Sequence, residues 1–220
     1  MLLVNEIYPA ICGESRLSGT PCTLVRLAGC HLRCSWCDSP HAFGGGQAMS
    51  PDAILAEVRS HGFALVLLTG GEPLLQAGAV ELMATLLEAG HPVLLETSGT
   101  LGHDKLVPLS AVPAGVSRVV DVKAPGSGID PALIDWDGIA GLGPRDELKF
   151  VLADRRDFDW AAALVREPGR LPPGPVVSFS PVAGVLEPTV LAEWILAEKV
   201  DVRFQIQLHK VLWPGREGGV

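Results

Sequence analysis

The sequence predicts an α/β fold in a single domain over residues 1–220, built on about six parallel strands. Three observations predict it. Short apolar runs alternate with helix-like segments along the whole chain. The runs are continuous and rich in Val and Leu, as strands buried on both faces are. Polar residues recur where the runs end. Six units are too few for a closed eight-unit barrel, which leaves a partial barrel or an open sheet joined by right-handed crossovers.

The first run, residues 23–28, leads into a loop dense in cysteine. Ser50 followed by Pro51 is an N-cap and first-turn pair, and it opens a helix that carries Ile54, Leu55 and Val58 and stops at Gly62. The second run is 64–68. A helix over 79–89 follows, with Leu82, Leu86 and Leu87 on one side and Gly90 as its stop. The third run is 93–95. Gly and Pro punctuate 99–117, so no long helix is expected there. Runs at 118–122, 147–152, 176–179 and 203–208 complete the strands, with helices at 158–166 and 188–199, the latter opened by Glu187 and Pro188.

Hydrophobic residues make up 48% of the chain and aromatics 5%, so Leu, Val and Ala must fill the core. No apolar run approaches the ~18 residues that span a bilayer. The opening MLLVNEIYPA lacks a basic region and reaches Glu6 too early for a signal peptide, so a cytoplasmic protein with no membrane partner is expected. The formal net charge is −8 and Lys and Arg are scattered, which argues against a nucleic-acid partner and for a small-molecule substrate.

Parallel α/β folds place their chemistry at the C-terminal ends of the strands. The polar oddities fall there. The cysteines follow the first run, TGGEP (69–73) ends the second, ETSGT (96–100) the third, Asp121-Val122-Lys123 the fourth and Ser180-Pro181 the sixth.

Cys30, Cys34 and Cys37 stand in GCHLRCSWCDS, a Cys-x3-Cys-x2-Cys spacing. Three thiolates from one short loop can ligate three irons of a 4Fe–4S cube and leave the fourth open, which an electron-transfer cluster with four cysteines does not. The alternative is a non-catalytic module, either electron-transferring or holding zinc with His31 or His41 as fourth ligand; structural zinc usually takes two separated ligand pairs. Cys12 and Cys22 read as small buried hydrophobes.

This spacing, with Trp36 before the last cysteine and TGGEP after the next strand, resembles the signature of the radical S-adenosylmethionine superfamily. The resemblance implies a partial, incomplete TIM-type barrel and a 4Fe–4S cluster held by Cys30, Cys34 and Cys37. The vacant iron would chelate S-adenosylmethionine and generate a 5′-deoxyadenosyl radical. Trp36, Cys37, Asp38, Gly70, Gly71, Glu72, Asp121, Val122, Lys123, Ser180 and Pro181 would contact the cofactor. Gly70 and Gly71 would let a ligand approach the backbone, and the Glu72 carboxylate would accept from the methionyl ammonium.

Over nearly its whole length the chain is similar to the 7-carboxy-7-deazaguanine synthase family, on EIYPAICGES (6–15), RLAGCHLRCSWCDS (26–39), TGGEPLLQ (69–76), ETSGT, ELKFV (147–151) and QLHKVLW (207–213). That resemblance implies contraction of a pterin ring with loss of ammonia, Mg²⁺ at Ser39, a reductant such as flavodoxin or ferredoxin, and a homodimer. The substrate contacts it implies are Ile11, Cys12, Gly13, Glu14, Arg26, Thr69, Glu96, Gln207 and His209. Arg26 suits a carboxylate, and Glu96, with Glu14 second, suits the amide-and-amine edge of a pterin. Lys123 and Lys149 rank lower, since strand lysines tend to snorkel to solvent. Three positions depart from the family pattern: Cys12-Gly13-Glu14-Ser15 where it has Gln-Gly-Glu-Gly, Asp121-Val122-Lys123 where it has Ser-Pro-Lys, and Ser180-Pro181 where it has Gln-Pro. Activases of glycyl-radical enzymes or of anaerobic ribonucleotide reductase, and tRNA-modifying radical enzymes, are the rival readings.

Overall fold

The computed structural model describes residues 1–216. Its strands are β1 (Leu2–Ile11), β2 (Pro21–Leu27), β3 (Gln47–Met49), β4 (Leu65–Gly70), β5 (Val93–Thr97), β6 (Ser117–Asp121), β7 (Glu147–Leu152), β8 (Val176–Pro181) and β9 (Arg203–Phe204). They form one sheet in the order β3-β1-β2-β4-β5-β6-β7-β8-β9. From β2 through β9 every neighbouring pair is parallel, so seven strands run one way, one at each of the seven apolar runs. The seventh contributes only two residues. The order has two ends and does not close, which makes the sheet a partial barrel.

The antiparallel pair β1 and β3 at the start was not anticipated. Its run is interrupted by Asn5, Glu6 and Pro9, and Glu6 in fact faces into the sheet's concavity beside Arg26. A strand that pairs a charge across to its neighbour does not read as a buried apolar run.

The helices are α1 (Pro51–His61), α2 (Gly78–Glu88), α3 (Trp136–Ala140), α4 (Arg155–Arg166), α5 (Pro188–Glu198) and α6 (Leu208–Leu212). Ser50 caps α1 by accepting from the Ala53 N–H, and Gly62 ends it at φ 77°. Residues 99–117 hold only one short 3-10 turn. None of the described helices is long and apolar enough to cross a membrane.

Strand alternation divides the interior. Val25, Leu27, Val66, Leu68, Leu95, Val120 and Leu148 point outward and meet Ile54, Leu82, Leu86, Phe158, Leu191 and Ile195 of the helices in the main core. Phe150, Phe158 and Phe179 anchor it through edge-to-face contacts at 5.5 and 6.0 Å. The opposite, concave face carries a smaller cluster of Ala10, Cys12, Cys22, Leu24, Leu65, Leu67, Leu94 and Val119. These are the early residues of their strands. Two residues further along the same face stand Arg26, Thr69, Glu96 and Asp121. The concavity is a dry floor with a charged mouth.

Candidate active site

The cysteine loop leaves β2 at Gly29, whose φ of 96° favours glycine. It is stitched to the end of β4: the Gly71 N–H donates to the Leu27 carbonyl at 3.1 Å and the Glu72 N–H to that of Gly29 at 2.8 Å. A Cβ on Gly71 would lie 2.6 Å from the Cβ of Cys30, and one on Gly70 2.4 Å from the Leu27 carbonyl oxygen. These two glycines therefore admit the loop itself, where a ligand was expected to approach them. Ser35 ties the far side by donating its N–H and hydroxyl to the Ser127 carbonyl at 2.9 and 3.0 Å.

Cys30, Cys34 and Cys37 are free and half-buried in this loop. The Leu32 N–H donates to the Cys30 sulfur at 3.4 Å, an arrangement suited to a thiolate. Burial pushes the Cys30 and Cys34 thiols up, while the nearby Lys123 ammonium pulls Cys34 back. Among the described residues no three His, Cys, Asp or Glu side chains converge on a point where one ion could sit. A cube asks for no such convergence, because each thiolate goes to a different iron. The donor set fits a 4Fe–4S cluster with one open corner better than it fits a single zinc.

The mouth of the concavity collects charged and polar side chains from six strands. Arg26 Nε donates to Glu6 at 2.6 Å and another guanidinium nitrogen to the Ser39 hydroxyl at 3.3 Å. Thr69 donates to Glu96 at 3.2 Å. Lys149 lies 2.5 Å from Glu14 and 3.9 Å from Asp121, which also pairs with Lys123 at 2.8 Å. The expected snorkelling fails for Lys149, which is 8% exposed because three carboxylates hold it inside. Burial opposes its charge, yet Glu14, Asp121 and Glu96 raise its pKa well above the ordinary value. Burial, reinforced by Glu14, raises Glu96 to about 7 against the pull of Lys149 and Arg26.

The last strand was expected to reach residue 208 and instead stops at Phe204. The chain then turns over the mouth and begins α6. Gln207 donates its amide to Glu14 at 2.6 Å and to Asp38 at 3.1 Å, and the Leu208 N–H donates to the Gly13 carbonyl at 2.9 Å. His209 packs so closely that a Cβ on Gly13 would stand 2.2 Å from its Nδ1. Burial opposes the charge of Asp38, but Lys210, Lys149 and the Gln207 amide outweigh it and hold the carboxyl at about 2. Trp36, in the cysteine loop, is half-buried.

Four expected contacts are corrected. Both oxygens of Glu72 are occupied by the Leu74 and Ser98 N–H groups and the Thr97 and Ser98 hydroxyls, at 2.6–2.9 Å, so its carboxylate locks the strand ends and has no lone pair left for an ammonium. Cys12 is wholly buried in the floor and donates to the Glu14 carbonyl at 3.1 Å; burial pushes its thiol up to about 11. Ile11 stands on the face of β1 opposite Ala10, away from the mouth. Val122 is buried in the helix-side core, because alternation turns Asp121 and Lys123 inward and Val122 out. Ser180 stands at the end of β8, and its buried hydroxyl has no hydrogen-bond partner among the described residues. Pro181 ends β8 next to it and lines a cavity of about 180 Å³ with Gln207 and Lys210.

Sequence reasoning passed over Glu6, gave Ser98, Thr100 and Lys210 no role beyond their motifs, and named His31 only as a zinc ligand in the alternative reading. His31 is half-buried and bonds Thr100 at 3.0 Å. Glu6 is brought to Arg26 only by the pairing of β1 with β2, which no local pattern in the sequence announces.

Residues 24–119 match the Radical SAM superfamily model. The chain is 40% identical over 231 residues to the 7-carboxy-7-deazaguanine synthase of Koribacter versatilis, covering 99% of each chain. It is 39% identical to that of Chlorobaculum tepidum, covering 100% of this chain and 97% of the relative. The crystal structure of QueE from Escherichia coli superposes with a TM-score of 0.71 over 94% of both chains at 22% identity, which confirms the fold. The cysteine loop, the strand-end charges and these likenesses together make the chain a radical S-adenosylmethionine protein belonging to the 7-carboxy-7-deazaguanine synthase family.

Proposed function

We propose that the chain converts 6-carboxy-5,6,7,8-tetrahydropterin to 7-carboxy-7-deazaguanine with loss of ammonia. The observation that carries this reading is Glu96. It is a carboxylate inside the concavity, and the Thr69 hydroxyl donates to one of its oxygens at 3.2 Å. A carboxylate has about four acceptor positions, so Glu96 has room for the N–H donors that the amide-and-amine edge of a pterin brings. Glu14, held by Lys149 and Gln207, offers a second acceptor across the mouth. Arg26 retains N–H groups beyond those engaged with Glu6, Ser39 and Tyr8 and would clamp the substrate carboxylate.

The chemistry that the family's 4Fe–4S cluster would supply when bound is one-electron reductive cleavage of S-adenosylmethionine. Cys30, Cys34 and Cys37 would hold the cluster. The strand-end backbone at 70–72, Trp36, Asp38, the Asp121–Lys123 pair and the Ser180 hydroxyl would hold the cofactor. Ser39 would bind Mg²⁺ together with substrate oxygens and waters, since this ion often takes few protein ligands. The low basic content supports a free small molecule over RNA as substrate. A flavodoxin- or ferredoxin-type reductant, a homodimer and a cytoplasmic setting complete the proposal, on family resemblance.

The test is anaerobic reconstitution followed by assay with reductant, Mg²⁺ and the pterin. About one cluster per chain and a 7-deazapurine product are expected. Deoxyadenosine without any 7-deazapurine overturns the substrate assignment alone. A Cys34→Ala protein that keeps its cluster overturns the ligand assignment.

A further inference from the structure

The four donors on Glu72 fix more than Glu72. The Ser98 hydroxyl donates to Glu72 Oε2 at 2.6 Å, so its single proton is spent. The Ser98 and Thr100 hydroxyls are 2.8 Å apart, and only Thr100 has a proton left to give. With the Thr100 proton spent on Ser98, its oxygen can only accept from His31 Nε2 at 3.0 Å. The ring must therefore donate at Nε2, whether it carries one proton or two. The whole chain is directed by the carboxylate at its far end. Its middle members are 7% and 8% exposed, so water does not compete for these bonds.

The chain joins two places that the backbone joins only in part. Glu72 sits at the end of β4, Ser98 and Thr100 follow β5, and His31 adjoins Cys30 in the cysteine loop. Thr100 is also held by a bridge to Ile134, and the His31 ring packs edge-on against His103 at 6.2 Å. The fixed end is thus anchored in the sheet, and the free end is the loop.

We infer that His31 is a positioning residue: as the terminal donor of the Glu72–Ser98–Thr100–His31 chain it fixes the Cys30 side of the cluster against the strand ends that receive the cofactor. The inference rests on the assignment of Cys30 as a cluster ligand. It makes no use of the ring's titration. A Leu at position 31 keeps bulk and removes the donor. A Val at position 100 keeps shape and cuts the chain in its middle. A Gln at position 31 returns an N–H near the Nε2 position.

The experiment compares reconstituted wild type, His31→Leu, Thr100→Val, the double variant and His31→Gln. The readouts are the EPR signal of the reduced cluster with S-adenosylmethionine, the rate of deoxyadenosine formation and the melting temperature. Each single variant is expected to alter the signal and slow cleavage about tenfold, the loss of one charge-directed hydrogen bond. The double variant should be no slower than either single, because one chain is cut twice. His31→Gln should recover most of the rate. Wild-type signal and rate in the single variants, multiplied effects in the double, or no recovery with Gln each overturn the inference. A wild type that assembles no cluster overturns the cluster assignment and takes the inference with it.

Discussion

The floor and the mouth of the concavity are built by the same strands and the same alternation, yet they hold opposite chemistry. On β2 the inward series runs Cys22, Leu24, Arg26; on β4 it runs Leu65, Leu67, Thr69; on β5, Leu94, Glu96; on β6, Val119, Asp121. One step of two residues separates an apolar layer from a charged one. The floor excludes water from beneath the charges, which strengthens every Coulomb term above it and makes each unpaired charge expensive. The mouth responds by pairing nearly all of them: Arg26 with Glu6, Lys149 with Glu14, Lys123 with Asp121. Glu96, which takes a hydrogen bond from the Thr69 hydroxyl, keeps acceptor capacity open.

The division is broken most severely by removing the central cation. Lys149→Met would leave Glu14 and Asp121 facing each other over a dry floor, and cutting a buried pair in this way costs about 3–5 kcal/mol. Denaturant unfolding of the apo protein should show a loss of that size. A loss under about 1 kcal/mol, as at solvated pairs, would mean that water screens the mouth and that its charges are a surface feature. The complementary cut is Leu94→Ala in the floor, where Leu94 is 1% exposed. A cavity there should cost about 2–4 kcal/mol while leaving turnover at permissive temperature within about twofold. Turnover that collapses with the cavity would show that floor and mouth do not act separately.

The floor and the outer core were legible because both are written in runs of Val and Leu that only a doubly buried strand explains. α1, α2, α4 and α5 stood within a few residues of their expected places, on signals such as Ser50-Pro51 and Gly62. The cluster loop was legible for a different reason: its chemistry fixes spacing within eight residues, and no tertiary knowledge is needed. The mouth was only half legible. Glu96 and Arg26 could be named from their strand-end positions, but the partners that determine their state come from distant parts of the chain. Glu6 lies 20 residues from Arg26, and Gln207 lies 193 residues from Glu14. Glu72 and Val122 were misassigned because a motif names positions without saying which way a side chain turns. For Val122 the alternation decided it, and for Glu72 the four donors did.

The smallest and sharpest test concerns Glu96 itself. If it reads the N–H edge of the substrate, Glu96→Gln should lower kcat/KM by about 10- to 100-fold, the worth of one charged hydrogen bond, with the fold intact. Its pH dependence separates this role from a structural one. Recognition needs the carboxylate, so the wild-type advantage over Glu96→Gln should grow as pH rises through about 7 and level off above. Apo stability must run the other way. A carboxyl whose value is raised from 4.5 to about 7 by burial binds more protons folded than unfolded between those limits. Its stabilising contribution is full below about 4.5 and is lost as pH rises through about 7, so the stability of wild type relative to Glu96→Gln should fall across that window. Activity rising while apo stability falls, over one interval and through one residue, is the signature of a group kept under-bonded for its ligand. Parallel curves, or a Gln variant matching wild type in both, would place the open acceptor elsewhere in the mouth.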